Sequence, residues 1–377
     1  MKRYYIFLLS VLIVACKPET EEVDAPAPPL PEEALAALNL PDGFEIHTYA
    51  NVENARSLAL SPSGTVYVGN RSGDKVYAVQ DTDGDFVGDI TYVIDSGLVL
   101  PNGVAFRDGD LYVAEVNRIL KYSDIESNLA SPPDPEVIYD EFPTEKHHGW
   151  KYIAFDNDGK LYVPVGAPCN ICNPDDEIFA SITRMNPDGT GLEVFAHGVR
   201  NSVGFDWNPE TGDLWFTDNG RDNLGDSIPP CEMNRVTEAG QHFGYPFCHG
   251  GYLSDPEFGE LGNCDDFVAP QVRFEAHTAP LGMKFYRGNM FPADFKGDII
   301  VAQHGSWNRS KKIGYRLMRV SVENGEATGH SVFIDGWLND DTQESWGRPV
   351  DVLEMPDGSL LVSDDQAGKI YRITYNG

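Results

Sequence analysis

Residues 196–222 read AHGVRNSVGFDWNPETGDLWFTDNGRD. Val203, Phe205 and Trp207 alternate with other residues, Asn208 to Asp213 form a turn cluster, and Leu214, Phe216 and Asp218 resume the alternation. A period of two around a Pro- and Gly-containing turn predicts a β-hairpin with one buried face. Its polar residues gather outside the strands: Arg200 and Asn201 before the first, and Asp218, Asn219, Gly220, Arg221 and Asp222 at the end of the second. In an antiparallel hairpin the start of one strand lies beside the end of the next. A guanidinium, an amide, two carboxylates and a Gly turn therefore meet at one rim, which is the candidate active site.

The same pattern recurs along the chain. Ser57–Leu60 leads through Ser61-Pro-Ser-Gly64 to Val66–Val68, and Pro101–Phe106 through Arg107-Asp-Gly109 to Leu111–Ala114. Tyr152–Phe155 leads through Asp156-Asn-Asp-Gly159 to Leu161–Val163. The quoted hairpin is the fourth copy. Pro280–Tyr286 with Asp298–Val301 is the fifth, and Pro349–Leu353 with Leu360–Val362 the sixth. A further short strand follows several copies, as in Lys75–Val79, Arg118–Tyr122 and Lys369–Ile373. Repeats of roughly 45 to 80 residues, each a small antiparallel sheet, predict a propeller, because one such sheet cannot bury both its faces and a ring of them can. The fold expected is all-β: a six-bladed β-propeller of four-stranded antiparallel blades. Phe44–Tyr49 is the N-terminal strand that closes the last blade beside Lys369–Tyr375. Repetition of one internal pattern disfavours the competing β-sandwich. The turns that open each copy carry Asn102, His148, Arg200-Asn201, Pro280 and Arg348, and should face one mouth of the ring.

With 377 residues, 41% of them hydrophobic, the chain has ample material for a core. A formal net charge of −31 argues against binding to nucleic acid backbone or to an anionic membrane surface. Lys2 and Arg3 precede an apolar run, Tyr4–Ala15, that is short for a membrane span. That run ends in Leu12-Ile-Val-Ala-Cys16, which resembles a bacterial lipobox, so residues 1–16 are expected to be a lipoprotein signal with Cys16 as the lipidated residue. Residues 17–37 read as a disordered tether and 38–377 as a single catalytic domain, lying on the periplasmic side of a bacterial membrane and touching it only through the lipid. Setting Cys16 aside leaves Cys169, Cys172, Cys231, Cys248 and Cys264. Five thiols in an oxidising compartment leave at least one unpaired within the chain. Cys169-Asn-Ile-Cys172 lacks the His of a haem-attachment motif and has no second CxxC to complete a zinc site, so a local disulfide is the plainer reading of it.

Several groups of residues carry chemistry. His148, just before a strand at the expected mouth, is positioned to serve as a general base. Gly220 can turn backbone carbonyls toward a hard cation such as calcium. Asp81, Asp83, Asp85 and Asp89 resemble part of a calcium loop, but the Gly comes too early and no Glu closes it, and the loop lies away from the mouth. Trp307, Arg309 and Lys311, with Trp346 and Arg348, interleave cations and flat rings in an otherwise acidic chain, as a planar polyanionic cofactor requires. No nucleophile elbow, P-loop or Rossmann glycine pattern is present in the sequence.

Together, HHGWKYIAFDNDGKLYVPVGAPCNIC (147–172), HGVRNSVGFDWNPETGDLWFTDNGRD (197–222), HGSWNRSKKIGYR (304–316) and GRPVDV (347–352) resemble the soluble sugar dehydrogenases that depend on pyrroloquinoline quinone (PQQ), in particular their sorbosone dehydrogenase-like branch. The resemblance runs from about Leu38 to Ile373. It implies a PQQ and a calcium ion at the mouth, and oxidation of a sugar or sugar-like aldehyde or alcohol by hydride transfer to the quinone. Electrons would pass to an external acceptor, a cytochrome or a quinone. It implies His148, rather than His147, as the base, and Arg200 as the group that stabilises charge on the reduced quinone. Asn201, Asn219, Trp307 and Arg348 would contact the cofactor, with Arg309 or Lys311 in place of a family lysine. The carbonyls of Gly220 and Arg221 would bind calcium. Arg221 and Lys151 depart from the family's usual residues, and Cys231–Asp266 reads as a long inserted loop. Two other readings remain at this stage: a calcium-dependent lactonase of the six-bladed type, and a non-catalytic propeller that binds a glycan or protein.

Overall fold

The computed structural model describes residues 32–377. Cys16, the apolar run before it and the tether up to residue 31 lie outside the described residues. Glu32–Leu35, within the expected tether, forms one helical turn, and Leu35 packs against a core cluster that includes Leu38 and Trp337.

Six four-stranded antiparallel sheets follow one another around the ring. Blade one spans 55–95, blade two 103–139, blade three 154–197, blade four 205–274 and blade five 280–334. Blade six takes Pro349–Glu354, Leu360–Asp364 and Lys369–Tyr375, and completes itself with Phe44–Asn51. Phe44 stands opposite Tyr375 and Asn51 opposite Lys369, with one irregularity between Thr48 and Ala50. The closing strand also ties blade six to blade five, because the Phe44 ring lies 4.9 Å from Phe291 and 5.0 Å from Phe333.

Burial explains why these segments become strands of a propeller. The second strands of blades one, three, four, five and six are buried along their whole length. The outermost strands of blades one and two have only one buried residue between them, Ile94. A strand sandwiched between two neighbouring sheets needs apolar residues on both faces, whereas an edge strand needs them on one. The core lies between blades: Trp215 and Met233 of blade four pack with Met283 and Val301 of blade five, and Tyr67 and Val76 of blade one with Val104 and Leu111 of blade two.

The quoted hairpin forms as expected, with Phe205 opposite Phe216 and Trp207 opposite Leu214. One expectation is corrected. Cys231–Val236 is the third strand of blade four, with Cys231 paired to Phe274, so the insertion begins only after Val236. Cys231 and Met233 face one core cluster and Val236, on the opposite face, another, so the segment is apolar on both sides as an inner strand must be. Disulfides join Cys169 to Cys172 and, within the insertion, Cys248 to Cys264, and Cys231 is a buried free thiol.

Candidate functional site

The residue that follows the second strand of each blade is Arg71, Glu115, Gly166, Asn219, His304 and Asp365 in turn. Arg71, Asn219 and His304 line one cavity of ≈ 400 Å³ together with Arg56, His148, Trp150, Arg200, Asn201 and Arg348. Arg56, Arg71, Asn219, His304 and Arg348 sit at strand ends that sheet geometry holds in place, while His148, Trp150, Arg200 and Asn201 come from the loops that lead into blades three and four.

His148 is held by the neighbouring blade. Its Nδ1 lies 2.9 Å from the Ala167 carbonyl, which only accepts, so Nδ1 carries the proton. Nε2 makes no hydrogen bond among the described residues and is left with its lone pair. Burial, then the Arg200 guanidinium and His147, hold the imidazole well below its usual pKa, so it is neutral at physiological pH. The backbone of His148 is left-handed, at φ 51°, a conformation His tolerates better than most residues. Gly166 makes this arrangement possible, since a Cβ there would lie 2.5 Å from the His148 Cβ. The Ala167 N–H in turn donates to the Arg200 carbonyl, 2.8 Å away. One residue thus ties together the two polar groups that flank the site.

Asp218 fixes the start of blade four. Its two oxygens accept the backbone N–H groups of Arg200 and Asn201 at 2.8 and 2.6 Å. The Arg200 guanidinium, 4% exposed, donates to the Asn170 carbonyl and side-chain oxygen, both at 2.9 Å, and to the Asn219 carbonyl at 3.0 Å. Asn170 sits between the two cysteines of the small disulfide loop, so that loop is the bracket behind Arg200. The Asn201 side chain lines the cavity and makes no hydrogen bond among the described residues. Asp222 reaches the His277 Nδ1 at 3.4 Å and Arg200 at 3.7 Å, and the His277 Nε2 donates to the Gly225 carbonyl at 2.8 Å. With both ring nitrogens facing acceptors, His277 is drawn toward its charged form and its pKa is raised.

The carbonyls of Gly220 and Arg221 accept no hydrogen bond among the described residues. Their neighbours do: the Asn219 carbonyl accepts from Arg200, and the Asp222 carbonyl from the Asn170 amide at 3.2 Å. Gly220 has no room for a side chain, because a Cβ would lie 2.7 Å from the Pro230 carbonyl oxygen. The Arg221 guanidinium turns away from the cavity to Asp255 at 2.6 Å and Glu257 at 3.0 Å.

On the opposite wall, Arg348 donates through Nε to the His304 carbonyl at 2.9 Å and through Nη2 to the Gly305 carbonyl at 2.7 Å. Arg56 donates to Asn102 and, at 2.8 Å, to Asp365. Arg71 has no hydrogen bond or ion pair among the described residues. Its guanidinium stacks 4.0 Å from the centre of the Trp150 ring, and burial together with Arg56 pushes its pKa down to about 10. Trp307 stands at the rim, 75% exposed.

Of the residues singled out in the sequence, His148, Arg200, Asn201, Asn219, Gly220, Trp307 and Arg348 line the cavity. Arg309 and Lys311 do not. The Arg309 Nη1 donates to the Ala276 carbonyl at 3.1 Å, which uses the side chain to fix the loop. The Asp81–Asp89 loop lies between two strands of blade one, away from the mouth. Asp81, Asp83 and Asp89 converge there, but Asp85 instead accepts the backbone N–H of Val87. Sequence reading passed over Arg56 and Arg71. The repeat register contained the signal: Arg56 precedes Ser57 as Asn201 precedes its own strand, and Arg71 follows its second strand as Asn219 does.

A family model described as TrAA12-like matches residues 38–376. An uncharacterised protein of Borreliella burgdorferi is 33% identical over 359 residues, spanning 91% of this chain and 92% of its own. An aldose sugar dehydrogenase of Escherichia coli is 24% identical over 279 residues, 67% of each chain. Among solved structures, the holo form of the PQQ domain of pyranose dehydrogenase from Coprinopsis cinerea matches with a TM-score of 0.77 at 18% identity, over 89% of this chain and 97% of that one. A calcium structure of a Trichoderma reesei family AA12 carbohydrate-active enzyme matches with a TM-score of 0.77 at 20% identity, over 90% and 97%. At these identities the structural matches show a shared fold.

Proposed function

Since the chain belongs to the TrAA12-like family, we propose that it is a PQQ- and calcium-dependent dehydrogenase of a sugar or sugar-like alcohol or aldehyde. The observation that carries this reading is the cavity in which the bare Nε2 of His148 meets four arginines, one of them, Arg71, without a hydrogen bond or ion pair among the described residues. In a chain of net charge −31 such a cluster calls for a polyanion. A planar tricarboxylate fits it: Arg71 and Arg348 offer guanidinium donors, and the rings of Trp150 and Trp307 offer flat faces. PQQ would supply the two-electron acceptor.

The chain's own residues do the rest. Arg71, Arg348 and Arg56 bind and orient carboxylates. The Arg200 guanidinium, held from behind by Asn170, keeps a fixed positive charge beside His148. The Nε2 of His148 accepts the proton of the substrate hydroxyl, and Nδ1 stays anchored on Ala167 so that the ring does not turn. The free carbonyls of Gly220 and Arg221 are hard oxygens of the kind calcium takes. Trp307, exposed at the rim, provides a face on which a pyranose can stack. Electrons leave to an external acceptor, and export as a lipoprotein is part of the same proposal. A lactonase would need metal-ligating side chains converging on the axis, where this cavity presents arginines instead.

The test is a titration of the chain with PQQ, with and without calcium, followed by cofactor absorbance and then by a panel of aldoses with a dye acceptor. Calcium-dependent binding, with bleaching of the oxidised quinone by at least one sugar, is the expected result. No binding at micromolar PQQ would overturn the proposal.

A further inference from the structure

The cavity holds a second histidine with the opposite polarity. His304 directs Nε2 to the Asp365 Oδ1, 2.8 Å away, while the other Asp365 oxygen takes Arg56 at 2.8 Å. A carboxylate only accepts, so Nε2 carries the proton and Nδ1 is the bare nitrogen. Nδ1 makes no hydrogen bond among the described residues, and the ring lines the same cavity as His148. The reaction proposed above gives His148 one proton to accept and leaves the Asp365–His304 pair unused.

Three elements face the His304 ring. Blade six brings Arg348, bonded to the His304 carbonyl, and Asp365. Blade one brings Arg56, with Arg71 beyond it. Blade five contributes Tyr315, over whose ring Arg348 lies, 5.3 Å from the centroid. Asp365 favours an imidazolium and the arginines oppose it. Burial and the arginines prevail in the free chain and push the His304 pKa down to about 4. Carboxylates arriving at Arg56, Arg71 and Arg348 neutralise the arginines' share of that opposition and leave only burial set against Asp365.

We infer that His304 is a second proton-accepting group of the site, held ready by Asp365, and that it takes up a proton when a polycarboxylate fills the arginine cluster. This deepens the quinoprotein reading and rests on it only for the identity of the natural anion. Proton release from the reacting hydroxyl and proton uptake at the cofactor end then fall to different histidines on opposite walls.

The test is calorimetric binding of PQQ, and separately of benzene-1,3,5-tricarboxylate, in buffers of different ionisation enthalpy, for the wild-type chain and for His304→Asn. If binding restores His304 to its ordinary pKa, uptake attributable to it is ~0.9 proton at pH 5.5 and ~0.1 at pH 7.5. His304→Asn should bind either anion and lose that uptake; any uptake by His148 persists in the variant and is subtracted. Asp365→Asn, whose amide donates to Nε2 and so moves the ring proton to Nδ1, should give a reversed tautomer in the ¹⁵N spectrum of the histidines. Equal proton uptake in wild type and His304→Asn, with PQQ bound, overturns this inference and leaves the dehydrogenase standing. Failure of both anions to bind overturns the two together, and binding of the tricarboxylate with His304-dependent uptake but without PQQ binding overturns only the identity of the cofactor.

Discussion

Replacing Lys151 by Met should stabilise the protein at acid and neutral pH. Lys151 is buried next to the strand that follows His148 and forms no ion pair among the described residues. Its Nζ has one hydrogen bond, to the Gly149 carbonyl at 3.2 Å, and lies 5.1 Å from the centre of the Phe142 ring. Burial pushes its pKa from 10.5 down to about 7. At ~1.4 kcal/mol per tenfold change in proton affinity, that shift costs the folded state about 4–5 kcal/mol below neutrality. A depressed lysine pKa means that the unfolded chain holds the proton more tightly. Stability therefore climbs as pH rises from 7 to about 10.5, and the whole cost is present below 7. Methionine matches the stem in volume and removes the charge, at the loss of one hydrogen bond and a stranded carbonyl worth about 2 kcal/mol. The net expectation is a gain of roughly 3 kcal/mol at pH 6 that vanishes near pH 9. Guanidinium unfolding at the two pH values, read as midpoints at unchanged slope, measures it. A variant less stable than wild type by the same amount at both pH values would refute the argument, since it would show that the ammonium carries no burial cost. Such a cost is retained where it serves the site: the bond from Nζ fixes the Gly149 carbonyl between His148 and Trp150, so the stabilised variant should turn over more slowly.

His148→Gln should lower kcat by ~10²–10⁴ while PQQ binding, followed by absorbance, is unchanged. Because burial and Arg200 depress the His148 pKa, the wild-type rate should stay flat from pH 8 through 6.5 and fall only at lower pH, and Arg200→Gln should move that fall upward. Arg71→Ala, which removes a cation that stacks on Trp150 and has no hydrogen bond or ion pair among the described residues, should weaken PQQ binding ~10–100-fold while moving the unfolding midpoint little. Gly166→Ala should drive its Cβ against His148 and abolish turnover while far-UV circular dichroism remains that of a β-protein. Retained activity in that variant would show that His148 has freedom the structure denies it.

What could be read in the sequence followed from local periodicity. Leu214 and Phe216 alternate in the chain as they do in the sheet, and the Asn208–Asp213 turn is marked by its own residue types, so hairpin, blade and ring were all legible. His148 and Arg200 stood out because they interrupt that pattern at the same point in successive copies. Arg56 and Arg71 were missed because a guanidinium beside an ordinary strand looks like surface charge until the ring brings blade one against blade six. Arg309 and Lys311 failed for the reverse reason. Their neighbours in sequence reach the cavity, but the loop turns Arg309 back onto the Ala276 carbonyl. The beginning of the blade-four insertion was misplaced because Cys231 was read as a loop cysteine, although Met233 and Val236 continue a strand from it.

The strand at residues 44–51 has a consequence for how the molecule is made. Blades one to five assemble from contiguous sequence, so each can form as its own segment emerges. Blade six alone borrows a strand from the far end of the described chain, and that strand must wait, unpaired, until Lys369–Tyr375 has been synthesised. The cavity is completed at the same late moment, because Arg348 and Asp365 belong to blade six. The arginine cluster thus gains its last member only as the final blade is made, and a nascent chain arrested before Arg348 would present five complete blades and an anion site lacking one of its four arginines.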